Sequence, residues 1–410
     1  MKNHPLLQLG IRANFSQFSL LILVNAFVGA MVGMERSILP LIARQDFGIV
    51  SHSAIFSFIA SFGVVKAFSN LFAGRYADIV GRKKLLVAGW LVGLLVPFLL
   101  IFAQSWMYVV IANILLGVNQ GLCWSMTVVM KSDLTGQKRR GLAMGLNEFA
   151  GYLAVAISAY ITAMLASQYG LRPVPFYLGV GISVTGLFLS LVLVKETLGH
   201  VEIETKGYSH PQEKKSFREI FRLTTWTNPN LFSCSQAGFA NNMNDGMAWG
   251  LFPLFFASLG YALEKIGFLV ALYPATWGVA QLFTGAISDK VGRRWMIAAG
   301  MWLQAISLWM IAGSSSFHMQ VLVAILLGVG TAMVYPTLIA AVGDIAHPEW
   351  RASAIGVYRL WRDMGYAVGA ALAGVLADRV GLRVTISSIG ILTFFSGVVV
   401  LRFQDLKKKN

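Results

Sequence analysis

Eight ionisable side chains sit inside stretches of sequence that are otherwise apolar: Glu35, Arg36, Lys66, Glu148, Asp245, Arg359, Arg362 and Asp363. Each would cost roughly 2.5–3.5 kcal/mol at the centre of a lipid-facing helix, so each should pair or line a polar cavity. Such a set of charges supports two kinds of chemistry, binding of a charged solute and uptake of a proton by a desolvated carboxyl. Amides lie near them. "ANNMNDGMAW" contains Asn241, Asn242, Asn244 and Asp245, and "GVNQGLCW" contains Asn119, Gln120 and Trp124. Four polar residues within five predict an unwound or cavity-lining stretch. Amides also join helices to one another, but Asn119, Gln120, Trp124, Asn241 and Asn242 are read here as substrate contacts. Glu35 and Arg36 are read as an ion pair at the rim.

The elements that must hold these residues follow from composition. Of 410 residues, 56% are hydrophobic and 12% charged, and the mean hydropathy is +0.66. Soluble domains carry about 25% charged residues, so a water-soluble surface cannot be built from this chain. Apolar runs of about 20 residues, the length that spans a bilayer as a helix, recur from Phe15 to Leu401. They predict an all-α integral membrane protein with twelve transmembrane helices in two pseudo-symmetric six-helix bundles. The bundles cover residues 1–196 and 226–410, with a polar connector over 197–225, where Phe217, Ile220 and Phe221 have the spacing of a short interfacial helix.

The net charge of +15 is distributed by side. Among 33 Lys and Arg, Arg44, Arg172, Lys265, Arg379 and Arg383 fall in loops opposite the N-terminus, and Arg36, Lys66, Arg359 and Arg362 fall inside helices. All the others lie on the N-terminal side. This asymmetry places both termini in the cytoplasm and gives the positive charge a partner in the lipid bilayer, with no nucleic acid implied. Cys123 and Cys234 lie in apolar helices, and the six His fall in loops or at helix ends, which removes a disulfide framework and a His-based metal site in the membrane.

One register repeats along the chain. "GRYADIVGRKK" from Gly74 returns as "GAISDKVGRRW" from Gly285, 211 residues later. At the same offset Asp133 matches Asp344, Arg140 matches Arg351, and "ILLGV" from Ile114 matches "ILLGV" from Ile325. In the first helix of each half the register shifts by two, pairing Gly33 with Gly246. Parallel repeats of this kind place a site between the halves, near mid-membrane. Glu148 and Arg359 occupy equivalent places, each eight residues beyond a matched arginine and so about 12 Å into its helix. Lys66 is equivalent to Trp277.

These residues resemble the major facilitator superfamily of transporters. Its signature between the second and third helices is matched by Gly74, Asp78, Gly81, Arg82 and Lys83, and again by Gly285, Asp289, Gly292, Arg293 and Arg294. The resemblance implies a cytoplasmic gate in which Asp78 faces the N-terminus of helix 11 and Asp289 that of helix 5. It also implies that helix 2 neighbours helix 11 and helix 5 neighbours helix 8, so that Asp363 is a partner for Lys66 and Glu148 faces Trp277. Two features depart from drug–proton antiporters of the family. Asn113 stands where many members carry an arginine, and helix 5 reads "GLNEFAGYLAVAISAY", without a Gly-Pro motif.

The expectation is a secondary transporter in a plasma membrane, that of the bacterial inner membrane type, working as a monomer by alternating access. Lys66, Asn119, Gln120, Trp124, Asn241, Asn242, Arg359 and Arg362 are assigned to an anionic or zwitterionic small-molecule substrate. Glu148, Asp245 and Asp363 are assigned to protons. Efflux of a drug or toxic metabolite is the alternative within transport, and a non-transporting membrane sensor is the alternative outside it. No nucleophile–base pair, metal cluster or cofactor motif is found, so no enzyme is expected.

Overall fold

Apolar runs of this length satisfy their backbone polar groups only as helices when surrounded by lipid, and the computed structural model is helical throughout its spans. It describes residues 8–135, 140–200, 215–346 and 348–402; the side chains at 74, 75, 78, 140–142, 285, 286, 289, 348, 349, 351 and 352 lie outside the description. The spans of the first half are α1 (Phe15–Arg36), α2 (Ser57–Val80), α3 (Arg82–Ile101), α4 (Trp106–Thr135), α5 (Arg140–Tyr169) and α6 (Val174–Phe188). Those of the second half are α7 (Pro229–Ser258), α8 (Leu263–Val291), α9 (Arg293–Gly313), α10 (Phe317–Ile345), α11 (348–380) and α12 (382–400).

Among the described residues, ten stretches are long and apolar enough to cross a membrane. The last of them, Ser353–Val400, contains two helices, because Gly381 turns the chain with φ 81° between α11 and α12. Helix α7 joins the set by packing rather than by hydropathy, since its polar run from Asn241 to Asp245 is enclosed by neighbouring helices. The result is a twelve-helix, multi-pass membrane protein.

The repeat seen in sequence recurs as geometry. Gly33 on α1 lies so close to α5 that an added Cβ would stand 2.3 Å from the Val155 carbonyl oxygen. Gly246 on α7 lies against α11 in the same way, 2.6 Å from the oxygen of Tyr366, and 155 and 366 are 211 apart. Arg82 meets Asp133 at 3.2 Å, and Arg293 meets Asp344 at 3.2 Å. Small residues at such crossings let two backbones approach, and lipid-embedded helices associate through that packing.

Between the halves, α2 packs on α11 and α5 on α8. A single apolar cluster runs through both halves, joining Phe56, Phe62, Trp249 and Tyr366 with Tyr152, Trp277 and Tyr335. At the end opposite the termini, Asp378 at the end of α11 binds the start of the second span. Its carboxylate accepts from His52 N (2.6 Å), Ser53 N (3.0 Å), Ser51 Oγ (2.9 Å) and Ser53 Oγ (2.5 Å). Gly374 lies against Ser53 beside this contact. The two halves therefore meet at that end.

At the terminus-bearing end, Gly81 has φ 101° and admits Glu196, whose carboxylate caps α3 by accepting from Arg82 N (3.2 Å) and Lys83 N (3.0 Å). In the connector, the helix Phe217–Arg222 begins at a Ser216 cap and buries Ile220 in an apolar cluster that also holds Leu231, Val334 and Tyr358, while Phe217 stays exposed. This short amphipathic helix is thus docked on the second half. Residues 201–214 of the connector lie outside the described residues.

Candidate functional site

The buried charges converge at mid-depth, where α2, α4, α5, α10 and α11 meet. Glu148 on α5 accepts hydrogen bonds from Trp124 Nε1 (3.0 Å), Asn147 Nδ2 (3.0 Å) and the Tyr335 hydroxyl (3.1 Å). Arg362 Nη1 donates to the same Tyr335 hydroxyl at 2.6 Å, and its guanidinium pairs with Asp363 at 2.8 Å. Asp363 accepts from Asn70 Nδ2 at 2.5 Å, and Asn70 accepts from Ser125 at 2.7 Å. Ser125 follows Trp124 in sequence, so the network closes on itself. It crosses the boundary between the halves twice, at Glu148–Tyr335 and at Asn70–Asp363.

Lys66 does not join this ring. Its ammonium lies 5.5 Å from the ring centre of Phe62, 5.9 Å from that of Trp124 and 5.4 Å from that of Tyr366. Among the described residues it makes no ion pair. Cation–π contacts in a desolvated setting are worth about 2 kcal/mol or more, less than a buried ammonium loses on leaving water. The Lys66 ammonium therefore sits in an aromatic cage rather than in a salt bridge.

Beyond Trp124, which packs on Tyr152 at 5.4 Å, the neighbouring side chains are aromatic. Trp277 packs on Tyr152 with centroids 3.6 Å apart, stacks on Tyr273 at 6.1 Å and meets Tyr335 edge-on at 5.7 Å. The repeat explains this cluster. Trp277 is equivalent to Lys66, Tyr152 to Asp363, Tyr335 to Trp124 and Tyr273 to Phe62. The same backbone positions carry charge at α2 and α11 and aromatic rings at α5 and α8.

Several sequence expectations are corrected. Lys66 and Asp363 do not pair: Asp363 is held by Arg362 and Asn70, which reach it from the adjacent position and from the next turn of α2. Arg36 is not paired with Glu35; its guanidinium crosses the halves to Asp245 on α7 and lies 5.5 Å from the Trp249 ring centre. Asn119 and Gln120 join helices within the first half, donating to the carbonyls of Gly89 (2.9 Å) and Val28 (2.8 Å), so they do not face the ring. Helix α7 is continuous over Pro229–Ser258 rather than unwound. Two of its amides bond inside the bundle: Gln304 of α9 donates to Asn241 and accepts from Asn244, and Thr393 of α12 donates to Asn244. Asn242 is buried with no hydrogen-bond partner among the described residues.

Trp124, Glu148, Arg362 and Asp363 are brought together, with Lys66 beside them. Asp245 stands apart on α7 with Arg36. Arg359 is half-buried one turn before Arg362, and its Nε has no partner among the described residues. Glu148 faces Tyr335, which packs on Trp277. Sequence reasoning missed Asn70, Ser125, Tyr152, Tyr335 and Tyr366. Carrying the repeat register through Trp124 and Asp363 points to Tyr335 and Tyr152, whereas Asn70 and Tyr366 carry no such signal.

Of the signature residues, Arg82 also donates to the Ala77 carbonyl, and Arg293 donates to Ser288. Gly81 and Gly292 turn with φ 101° and 97°. The side chains of Asp78 and Asp289, and positions 74 and 285, lie outside the described residues.

Comparison with known proteins agrees with this architecture. A model described as Major Facilitator Superfamily matches residues 21–239 and 234–410. The chain is 21% identical over 343 residues to an MFS-type transporter of Methanocaldococcus jannaschii, covering 83% of this chain and 86% of that one. It is 24% identical over 373 residues to multidrug resistance protein 2 of Bacillus subtilis, covering 88% of each. A crystal structure of a POT family transporter in complex with 5-aminolevulinic acid shares the fold at 13% identity, with a TM-score of 0.76 over 94% of this chain and 95% of that one.

Proposed function

Because the chain belongs to the major facilitator superfamily, we propose that this transporter moves an amphipathic organic anion or zwitterion by alternating access, coupled to protons. One observation carries the reading. A caged ammonium, Lys66, makes no ion pair among the described residues, and its neighbour Trp124 packs on Tyr152, which packs on Trp277, so one end of this group suits a carboxylate and the other a planar apolar body. Arg359 and Arg362 extend the basic end.

Glu148 is the coupling carboxyl in this reading. Among the described residues its donors are neutral, so protonation breaks no ion pair, whereas Asp245 and Asp363 each hold an arginine. The terminus-bearing face is cytoplasmic by its charge, in a plasma membrane of the bacterial inner membrane type, and the chain acts as a monomer. The contact at Asp378 then closes the outer side, and Asp78 and Asp289 serve the cytoplasmic gate.

Export is the second reading for direction. It is favoured by the names of relatives, among them multidrug resistance protein 2 and the quinolone resistance protein NorA of Staphylococcus aureus, which is 26% identical over 166 residues, 40% of this chain and 42% of that one. The test is a thermal-shift screen of purified protein against organic anions, zwitterions and cations, followed by flux in proteoliposomes with an imposed pH gradient. Anions or zwitterions should stabilise the wild type and not Lys66→Ala, and flux should follow the gradient. Stabilisation by cations alone, or anion flux indifferent to the gradient, would overturn the reading.

A further inference from the structure

Asp46 directly follows the apolar stretch Phe15–Gln45, and Arg172 lies between the stretch that ends at Tyr169 and the one that begins at Val174. Both stand where a span leaves the hydrocarbon, at the depth of lipid headgroups on the side opposite the termini. Arg172 Nε donates to Asp46 Oδ2 at 2.6 Å and Nη1 donates to the Ala103 carbonyl at 2.8 Å. These bonds leave Arg172 Nη2 and Asp46 Oδ1 to the surroundings, and both side chains are partly exposed.

The pair heads an apolar groove of about 720 Å³ between α3 and α6, walled by Phe98, Ile101 and Phe102 on one helix and by Tyr177 and Val180 on the other. Phe98, Phe102 and Tyr177 are exposed along it. Val180 lies six residues into α6, about 9 Å below its start, so the groove reaches acyl-chain depth. Deeper in the membrane α3 and α6 close on each other, because an added Cβ at Gly186 would stand 2.4 Å from the Trp90 ring.

The repeat separates structural need from the rest. Arg383, 211 residues after Arg172, likewise donates through Nη1 to a carbonyl, that of Ala312, and lies 5.4 Å from a phenylalanine ring centre, as Arg172 lies 4.9 Å from that of Phe47. Its Nη2 is taken by Ser315. The arginine thus holds its loop in the second half with a hydroxyl where the first half has a carboxylate. Asp46 is the addition, and it turns the head of the groove into a cation beside an anion.

We propose that this groove binds a phospholipid with a phosphoethanolamine headgroup, in the leaflet on the side opposite the termini. The phosphate accepts from Arg172 Nη2, the primary ammonium donates to Asp46 Oδ1, and an acyl chain lies between α3 and α6. A choline headgroup has no N–H to offer Asp46, and the negative headgroup of a glycerol lipid meets that carboxylate with like charge. The inference rests on membrane insertion alone and is independent of the transport reading.

The test is native mass spectrometry of the purified full chain with phosphatidylethanolamine, phosphatidylcholine and phosphatidylglycerol of identical chains added in turn. The wild type should bind the ethanolamine lipid about tenfold more tightly than the choline lipid, the ratio one charge-assisted hydrogen bond supplies. Asp46→Asn should abolish that preference and raise binding of the glycerol lipid, since Arg172 loses its counter-ion. Val180→Trp, which fills the groove, should abolish the preference as well. Equal binding of the ethanolamine and choline lipids by the wild type overturns the inference, as does an ethanolamine preference that survives either substitution. If Asp46→Asn does not fold, the wild-type ratio and Val180→Trp decide. Glycerophosphoethanolamine, the headgroup without chains, should fail to displace the bound lipid, and displacement at equal concentration would overturn the role of the groove.

Discussion

Trp124 stands between Lys66 and Glu148, its ring 5.9 Å from the ammonium and its Nε1 donating to the carboxylate at 3.0 Å. One indole thus serves a cation with its face and an anion with its edge, and the two charges are held near each other without neutralising one another. In the proposed cycle, a solute carboxylate that took the ammonium would remove part of the positive field at Glu148 and favour its protonation, which would link substrate and proton through Trp124.

The first prediction separates those roles. Lys66→Ala should weaken binding of the anionic solute by roughly 10–150-fold, the loss of one charge-assisted hydrogen bond of about 1.5–3 kcal/mol, as read by calorimetry. Trp124→Phe retains a ring beside Lys66 and deletes the donor to Glu148. Its binding should fall far less, while the pH dependence of flux moves. Equal losses of binding in both variants would mean that Trp124 acts only as packing.

The second concerns the tie between Arg36 and Asp245, both buried and in opposite halves. Asp245→Asn leaves an uncompensated guanidinium, and breaking one member of a buried pair costs about 3–5 kcal/mol. A large drop in the detergent melting temperature is expected. Replacement of both residues, Arg36→Met with Asp245→Leu, should recover most of the loss, because no charge is stranded. A double variant as unstable as the single one would argue against this pair.

Much of this was readable in advance, and the misses have physical causes. Twelve spans and the duplication follow from long apolar runs and one fixed offset, features that local rules transmit faithfully, whereas the meeting of α2 with α11 and α5 with α8 follows from the family resemblance. Partner choice among buried charges does not. Lys66 and Asp363 sit at matched depths, but Asn70 and Arg362 lie closer to the carboxylate, and only side-chain directions reveal that. Asn119 and Asn241 look like pore-lining amides in sequence, yet each faces a neighbouring helix of its own bundle. Glu35 invites pairing with Arg36, although successive residues on a helix point about 100° apart.

The third prediction tests the turn at Gly81. An alanine there must adopt φ 101°, ψ 147°, a region costing on the order of 1–3 kcal/mol for any residue but glycine. Its Cβ would also stand 2.7 Å from Glu196 Oε2. Glu196→Ala removes the cap on α3, worth about 1 kcal/mol. The double variant should therefore lose less stability than the two single losses combined, since the displaced cap cannot be lost twice. Strict additivity in thermal melts would show that Glu196 does not depend on the glycine.

The fourth concerns the contact at the end opposite the termini. Asp378 accepts four hydrogen bonds from His52, Ser53 and Ser51 across the halves, and faces His52 Nδ1 at 2.9 Å. Two of the donors are backbone N–H groups at the start of a helix, where a carboxylate is favoured by the helix dipole as well. Each bond contributes about 1 kcal/mol net. Asp378→Ala should therefore shift the balance between closed and open forms by up to about 4 kcal/mol, on the order of a thousand-fold in their ratio. Spin labels at Val50 and Val380, exposed residues at this rim on opposite halves, report the change, and the native Cys123 and Cys234 are buried. A second, longer distance should grow in Asp378→Ala, and Asp378→Asn, which keeps an acceptor oxygen and loses the charge, should fall between. An unchanged distance distribution in Asp378→Ala would mean that the glycine contacts between the halves, such as Gly374 on Ser53, hold this end shut without the carboxylate.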